Sequence, residues 1–444
     1  MEKKDVIDIE EQMKKREARR KRRVRNQIMA YVAIVLLVGA FVAGGIWGIS
    51  SLVPKQPVES EDVVTDMSQQ VEELLGESEI TEPDPSDYVP QLTPEEKLDA
   101  IISEAISVMP LEDKVAGLFI VTPEAITGVD TAVKAGDSTK DALNTNPVGG
   151  LIYFSKNIQS AEQLTEMISN SVLYSRYPLF VAVDEEGGRV SRVAEAGLAD
   201  NVGVPATIGA TNDPANAYNA GTLMANYLTP YGFNLDLAPV ADLNNVEGSI
   251  IADRSYGSDP EVVAQMVSSM VKGLEENGVS SCLKHFPGIG SSTEDTHDGL
   301  ASTGRTAEDF RSNEFKVFEA GIEAGVDFIM ITHMSAPGLT GDQTSCTFSK
   351  TIVTDILRNE LGYDGVIITD ALNMKAISDY NGADDAAILA LRAGCDMLLM
   401  PEDYKVAYNA VLQAVKEGTI SEERINDSLM RIYRIKYADM MPEE

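Results

Sequence analysis

The densest concentration of chemistry-bearing residues lies in one stretch, Lys284-His285-Phe286-Pro287-Gly288-Ile289-Gly290, with Asp295-Thr296-His297 four residues later. A Gly/Pro-rich segment leaving a strand makes a lid. An acid two residues before a histidine can orient or polarise its imidazole, as the acid of a catalytic triad does. Taken alone, the stretch could equally be a surface loop with an incidental Asp-x-His turn. Other candidates are the acidic cluster Asp184-Glu185-Glu186, the acids Asp236 and Asp242, His333, and Asp370. The chain has three histidines in all, at 285, 297 and 333.

These residues follow a pattern in the elements that would carry them. Eight short apolar runs occur in order, at 117–121, 150–154, 179–183, 233–237, 281–284, 328–332, 365–369 and 397–400. Each is apolar throughout, as a parallel strand buried on both faces should be. Stretches of helical period follow most of them, at 160–173, 215–228, 260–277, 306–324 and 404–417. Eight strands with crossover helices predict an α/β fold, a (β/α)8 TIM-type barrel, with an open α/β sheet as the alternative. In a barrel the residues just past the C-terminal ends of strands form the active face. Asp184, Asp236, Lys284-His285, His333 and Asp370 all stand there, so five strand ends converge on one site. Asp236 and Asp242 could equally be buried ion-pair partners of Arg254 or Lys284. Gly187-Gly188 reads as a tight turn rather than a phosphate cradle, because no G-x-x-x-x-G-K-[ST] or G-x-G-x-x-G pattern accompanies it.

The loop resembles the K-H-F-P-G-H-G-x4-D-[ST]-H signature of family 3 glycoside hydrolases, in the branch of β-N-acetylglucosaminidases. Asp184-Glu185-Glu186-Gly187-Gly188-Arg189-Val190-Ser191-Arg192 is similar to that family's D-[QE]-E-G-G-R-V-x-R. Leu237-Ala238-Pro239-Val240-Ala241-Asp242 and Asp253-Arg254-Ser255-Tyr256 are similar to its L-A-P-V-x-D and [DN]-R-S-[FY]. His333 in Thr332-His333-Met334 and the run Thr369-Asp370-Ala371-Leu372-Asn373-Met374 complete the likeness, which extends from about Leu111 to Tyr437. One departure stands out: Ile289 occupies the place of the motif's second histidine.

The resemblance implies a retaining exo-β-N-acetylglucosaminidase that removes terminal non-reducing N-acetylglucosamine from cell-wall, peptidoglycan-derived or related glycans. It makes Asp370 the nucleophile, His297 the general acid/base and Asp295 the partner of His297. Asp184, Arg192, Arg254, Lys284 and His285 would bind the sugar. Such chemistry is coherent, since a carboxylate attacks the anomeric carbon while a second group protonates the leaving oxygen and later activates water. It requires no cofactor and no metal. Other readings are a β-N-acetylglucosaminide phosphorylase, a β-glucosidase, and a catalytically inactive sugar-binding wall protein. The dyad loop, and the lack of a second large domain after about Tyr437, favour the N-acetylglucosaminidase over the glucosidase.

Composition and charge bound the setting. Among 444 residues, 36 Lys and Arg face 70 Asp and Glu, a net charge of −34, and 44% of the residues are hydrophobic. A globular core is therefore expected, and so acidic a chain excludes nucleic acid as a partner. Three cysteines, Cys282, Cys346 and Cys395, are too few for a disulfide framework and read as small buried residues. Residues 1–27 form a basic cytoplasmic tail with 11 Lys/Arg and 6 Asp/Glu. Residues 28–53 carry no charge and as a helix would reach about 39 Å, enough to cross a bilayer once as a signal anchor. A cleavable signal peptide is the alternative; its apolar core would be shorter. Residues 54–94 read as an acidic, disordered tether, and 95–444 as the catalytic barrel. The positive-inside rule places the chain in the cell membrane, single-pass, with the catalytic domain extracytoplasmic. Protease added to intact cells with a permeable wall should therefore release a fragment cut within 54–94, and full protection of the chain would overturn this topology.

Overall fold

All eight apolar runs become parallel strands in the computed structural model, which describes residues 93–294, 299 and 301–438. In chain order the strands are β1 (Phe119–Val121), β2 (Gly150–Ile152), β3 (Phe180–Val183), β4 (Glu185–Gly187), β5 (Val190–Ser191), β6 (Leu235–Asp236), β7 (Ser280–Phe286), β8 (Phe328–Ile331), β9 (Val366–Thr369) and β10 (Leu398–Leu399). β4 and β5 form a separate antiparallel hairpin, and the other eight make one sheet in the order β10-β1-β2-β3-β6-β7-β8-β9. A parallel bridge from Ile368 to Met397 joins the two ends of that order. The Thr369 N–H also donates to the Met397 carbonyl at 3.1 Å. Sequential strands pair in parallel and the last meets the first, which is the topology of a (β/α)8 barrel. The basic tail and anchor expected at 1–53, and the tether except for Thr93 and Pro94, lie outside the described residues. Among those residues no helix is long and apolar enough to cross a membrane.

Local sequence explains where the crossover helices begin. Ser160, Asp213, Asp259 and Asp403 each place a side-chain oxygen on a free N–H of the first turn of Ala161–Tyr174, Pro214–Tyr231, Pro260–Glu275 and Tyr404–Lys416. Thr93 and Glu96 form a reciprocal capping box at the start of Pro94–Val108. The helix expected over 306–324 is broken into Ala307–Ser312 and Glu314–Glu323. At the break Asn313 leaves the helical region, with φ −129° and ψ −78°, and its side-chain amide joins its backbone N–H on the Asp309 carbonyl, at 2.8 and 3.1 Å. All three cysteines are buried free thiols.

The barrel floor is tied down by one buried acid. Asp396, fully buried just before β10, accepts from Arg358 at 2.6 Å, Ser428 at 2.8 Å and the Ile367 N–H at 3.0 Å. Arg424 and Arg431 lie within 3.6 and 3.5 Å of it. It thus links segment 351–360, β9 and the terminal helix Glu422–Tyr437, which also reaches Asp99 through Arg434 at 2.7 and 2.8 Å. Asp396→Ala would leave three guanidinium groups crowded around a void, and removing one partner of a buried ion pair costs about 3–5 kcal/mol. Urea unfolding should show a loss of that size; a loss below about 1 kcal/mol would mean the arginines find other partners.

Candidate active site

The segments leaving the C-terminal ends of the strands surround a cavity of about 400 Å3. Asp184, Arg192, Arg254, Lys284, His285 and Asp370 all line it, beside Phe154, Glu186, Ile289 and Met374. Six positions drawn from four separate stretches of chain therefore meet at one mouth. Asp295 and His297 lie outside the described residues. Both sides of their loop are fixed: the Asn245 N–H donates to the Gly290 carbonyl at 3.2 Å, and the Ser335 N–H donates to the Ala301 carbonyl at 2.9 Å. Gly290 is required there, since a Cβ would stand 1.7 Å from the Leu243 carbonyl oxygen.

One wall is built by the β4–β5 hairpin. Gly187 and Gly188 turn it with φ of 91° and 59°, the tight-turn role expected of them. Glu185 and Glu186 then face opposite ways, as successive strand residues must. The Val193 N–H donates to Glu185 at 2.8 Å, the Ala194 N–H at 3.1 Å and the Tyr227 hydroxyl at 3.0 Å, which secures the short helix Arg192–Glu195. Glu186 points inward and binds two cations. Arg254 donates to it twice at 2.7 Å, and Lys284 Nζ lies 2.7 Å from the same carboxylate. Lys284 also donates to Asp184 at 2.7 Å.

Charge pairing sets the protonation of this group. Burial pushes the Glu186 carboxyl up, but Lys284 and Arg254 outweigh it and hold the group well below the usual carboxylate range. Burial would pull Lys284 down, yet Asp184 and Glu186 raise it above its ordinary value. Arg254 is likewise raised, the pull of Glu186 exceeding the effect of burial. These three groups are charged at neutral pH. Directly after the hairpin, Arg192 sits 5.9 Å over the Phe154 ring, and its buried Nε has no hydrogen-bond partner among the described residues.

The two acids expected as partners of Arg254 or Lys284 have other hydrogen-bond partners. Asp242 is bonded to His285, with Oδ2 2.7 Å from Nδ1, and Asp236 Oδ1 accepts the Glu185 N–H at 2.9 Å. Glu186 is the partner of both cations instead, because the hairpin turns it inward between them. Sequence reasoning set Glu186 beside Asp184 without a role of its own; the alternation of a short strand was the signal that could have separated it from Glu185. His333 does not line the cavity. It is buried, with Nε2 2.9 Å from the Ala371 carbonyl and Nδ1 2.8 Å from the Thr347 hydroxyl. It thereby supports the turn after Asp370. Asp370 itself is half-buried at the end of β9, and its Oδ1 accepts the Ala371 N–H at 2.7 Å. Ile289 packs into a small apolar cluster with Val240, Ile251, Ala301 and Met334.

A family model described as the glycosyl hydrolase family 3 N-terminal domain matches residues 110–435. The chain belongs to glycosyl hydrolase family 3. Among family 3 relatives, a β-hexosaminidase of Idiomarina loihiensis is 35% identical over 300 residues, covering 66% of this chain and 88% of that protein. A β-hexosaminidase of Hydrogenovibrio crunogenus is 34% identical over 293 residues, covering 64% of this chain and 81% of that protein. A solved family 3 β-N-acetylglucosaminidase from Paenibacillus superposes with a TM-score of 0.70 at 33% identity, covering 76% of this chain and 64% of that one. The family thus agrees with the barrel.

Beneath the mouth, Asp236 is fully buried and its Oδ2 has no hydrogen-bond partner. Burial pushes its carboxyl well above the usual range, the Glu185 N–H opposing only in part. A raised folded-state pKa means the folded protein holds a proton that the unfolded chain releases above about pH 4. That contribution to stability is complete below the unfolded pKa and is lost as pH rises through the folded one. Asp236→Asn, a neutral isostere, should therefore gain stability relative to wild type as the pH is raised from about 5 to 9, at about 1.4 kcal/mol per unit of pKa shift. Denaturant titrations at several pH values check this, and a difference constant with pH would show that Asp236 is ionised in the fold.

Proposed function

We propose that the chain is a retaining exo-β-N-acetylhexosaminidase that removes terminal N-acetylglucosamine from cell-wall or related glycans. The observation that carries the reading is the meeting of Asp370 with Asp184, Arg192, Arg254, Lys284 and His285 around one cavity. The family membership and the β-hexosaminidase names of its relatives point the same way. In this reading the Asp370 carboxylate attacks the anomeric carbon as the glycosidic C–O bond breaks, and His297, oriented by Asp295, gives its proton to the leaving oxygen. His297 then takes a proton from water, which attacks the same carbon and frees Asp370 with net retention. Donation from the Ala371 N–H favours the ionised carboxylate this role needs. The Asp184–Lys284 pair and Arg254 would read sugar hydroxyls, and the Arg192 guanidinium an acetamide or hydroxyl oxygen. Closure of one wall by the Glu186–Arg254 pair suits a chain end better than the interior of a polymer.

We also infer that the barrel works outside the cell, held by residues 28–53 through the tether 54–94. Support comes from the uncharged run and the basic cluster before it. Matched aryl β-glycosides test the activity: N-acetylglucosamine should be released with a rate that Asp370→Asn lowers by several orders of magnitude, since an amide cannot form the glycosyl ester. Preferential release of glucose would replace the specificity. A variant keeping a tenth of the activity would remove Asp370 as nucleophile.

A further inference from the structure

The contacts of Asp242 exceed what filling space in the barrel requires. Its side chain is fully buried, between β6 and the strand end that carries Lys284 and His285. Three N–H groups converge on it. The ring Nδ1 of His285 lies 2.7 Å from Oδ2, the backbone N–H of His285 donates to the same oxygen at 3.2 Å, and the backbone N–H of Ile289 donates to Oδ1 at 2.7 Å. Backbone N–H groups only donate, and each oxygen receives one, so the ionised carboxylate satisfies all three contacts by accepting. Nδ1 of His285 then carries the hydrogen.

A neutral imidazole protonated at Nδ1 has its lone pair at Nε2. His285 lines the cavity, and its Nε2 has no protein partner among the described residues. Adjacent to it, Lys284 Nζ spends two donors on Asp184 and Glu186, and an ammonium has a third. Neighbouring side chains therefore offer the cavity one donor and one acceptor, a complement to a pair of vicinal hydroxyls. We propose that Asp242 is a positioning residue: it fixes the tautomer of His285 and thereby makes this imidazole an acceptor, not a donor, toward the bound sugar. The proposal rests on the reading of this cavity as the sugar site.

Tautomer and activity can be measured separately. Nitrogen-15 NMR of the imidazoles at about pH 8, where an unperturbed histidine is neutral, has only three rings to resolve, and His285→Gln identifies the relevant one. The wild type should show that ring protonated at Nδ1 and bare at Nε2. In Asp242→Asn the amide cannot accept at every contact. If its oxygen stays on the Ile289 N–H, its NH2 faces Nδ1 and the ring must carry its hydrogen at Nε2. The Nδ1–H signal should then shrink or vanish, while kcat/KM falls about tenfold to a hundredfold, chiefly through KM, as for a buried polar group left without its partner. In a His285→Gln background the same substitution should cost less than about twofold more, since Asp242 would have nothing left to orient. An Nε2–H tautomer in the wild type would overturn the proposal whatever the variants do. So would an unchanged tautomer in Asp242→Asn, or a full additive loss in the double variant. A chain that cleaves no β-glycoside would remove the sugar-binding premise, and with it the claim about recognition, while the NMR result would still decide whether Asp242 sets the tautomer.

Discussion

A single buried carboxylate, Glu186, holds the mouth of this barrel together. It accepts two bonds from Arg254 and lies against Lys284, joining the hairpin after β3, the turn Ala252–Arg254 and the end of β7. Taking any one of these charges out of water alone would cost several kcal/mol. Two carboxylates, Asp184 and Glu186, against two cations, Lys284 and Arg254, cancel within a network of 2.7 Å contacts. Such a group adds little net stability compared with apolar packing, but it admits few geometries. What it provides is placement: polar side chains from distant parts of the chain are held where a neutral, hydroxyl-rich ligand can meet them.

The two ends of the barrel divide the work. At the floor, Asp396 gathers Arg358 from segment 351–360 and Arg424, Ser428 and Arg431 from the terminal helix, and it does not line the cavity. At the mouth, ion pairs also occur, yet Arg192, Lys284 and His285 line the cavity. Loops above the strands are free to vary while the frame remains, which is the general advantage of placing chemistry at this end of a barrel.

Charge state at the mouth follows from pairing and burial together. Glu186 is driven below its ordinary range because cations outweigh desolvation, whereas Asp236, one strand away and without a cationic bond, is driven above it. Pairing thus lowers the one acid and burial raises the other. Asp370 stays half exposed at the end of β9, with a backbone N–H on its side chain.

Much of this was determined by the sequence alone. Strands buried on both sides must be apolar throughout, so all eight runs were legible, and residues immediately after them, such as Asp184 and Asp370, were bound to reach the mouth. Helix starts were legible wherever Ser, Thr or Asp preceded the periodic stretch, while the break at Asn313, where the backbone leaves the helical region, was not. Tertiary structure alone decided which acid meets which base. Asp236 and Asp242 looked like suitable partners for Arg254 and Lys284, but Glu186 took both cations and Asp242 took His285. Composition supplies charges without their directions. Those come from the pleat of β4, which turns Glu186 inward and Glu185 outward, and from the register of β6 against β7, which sets the side chains of neighbouring strands beside one another.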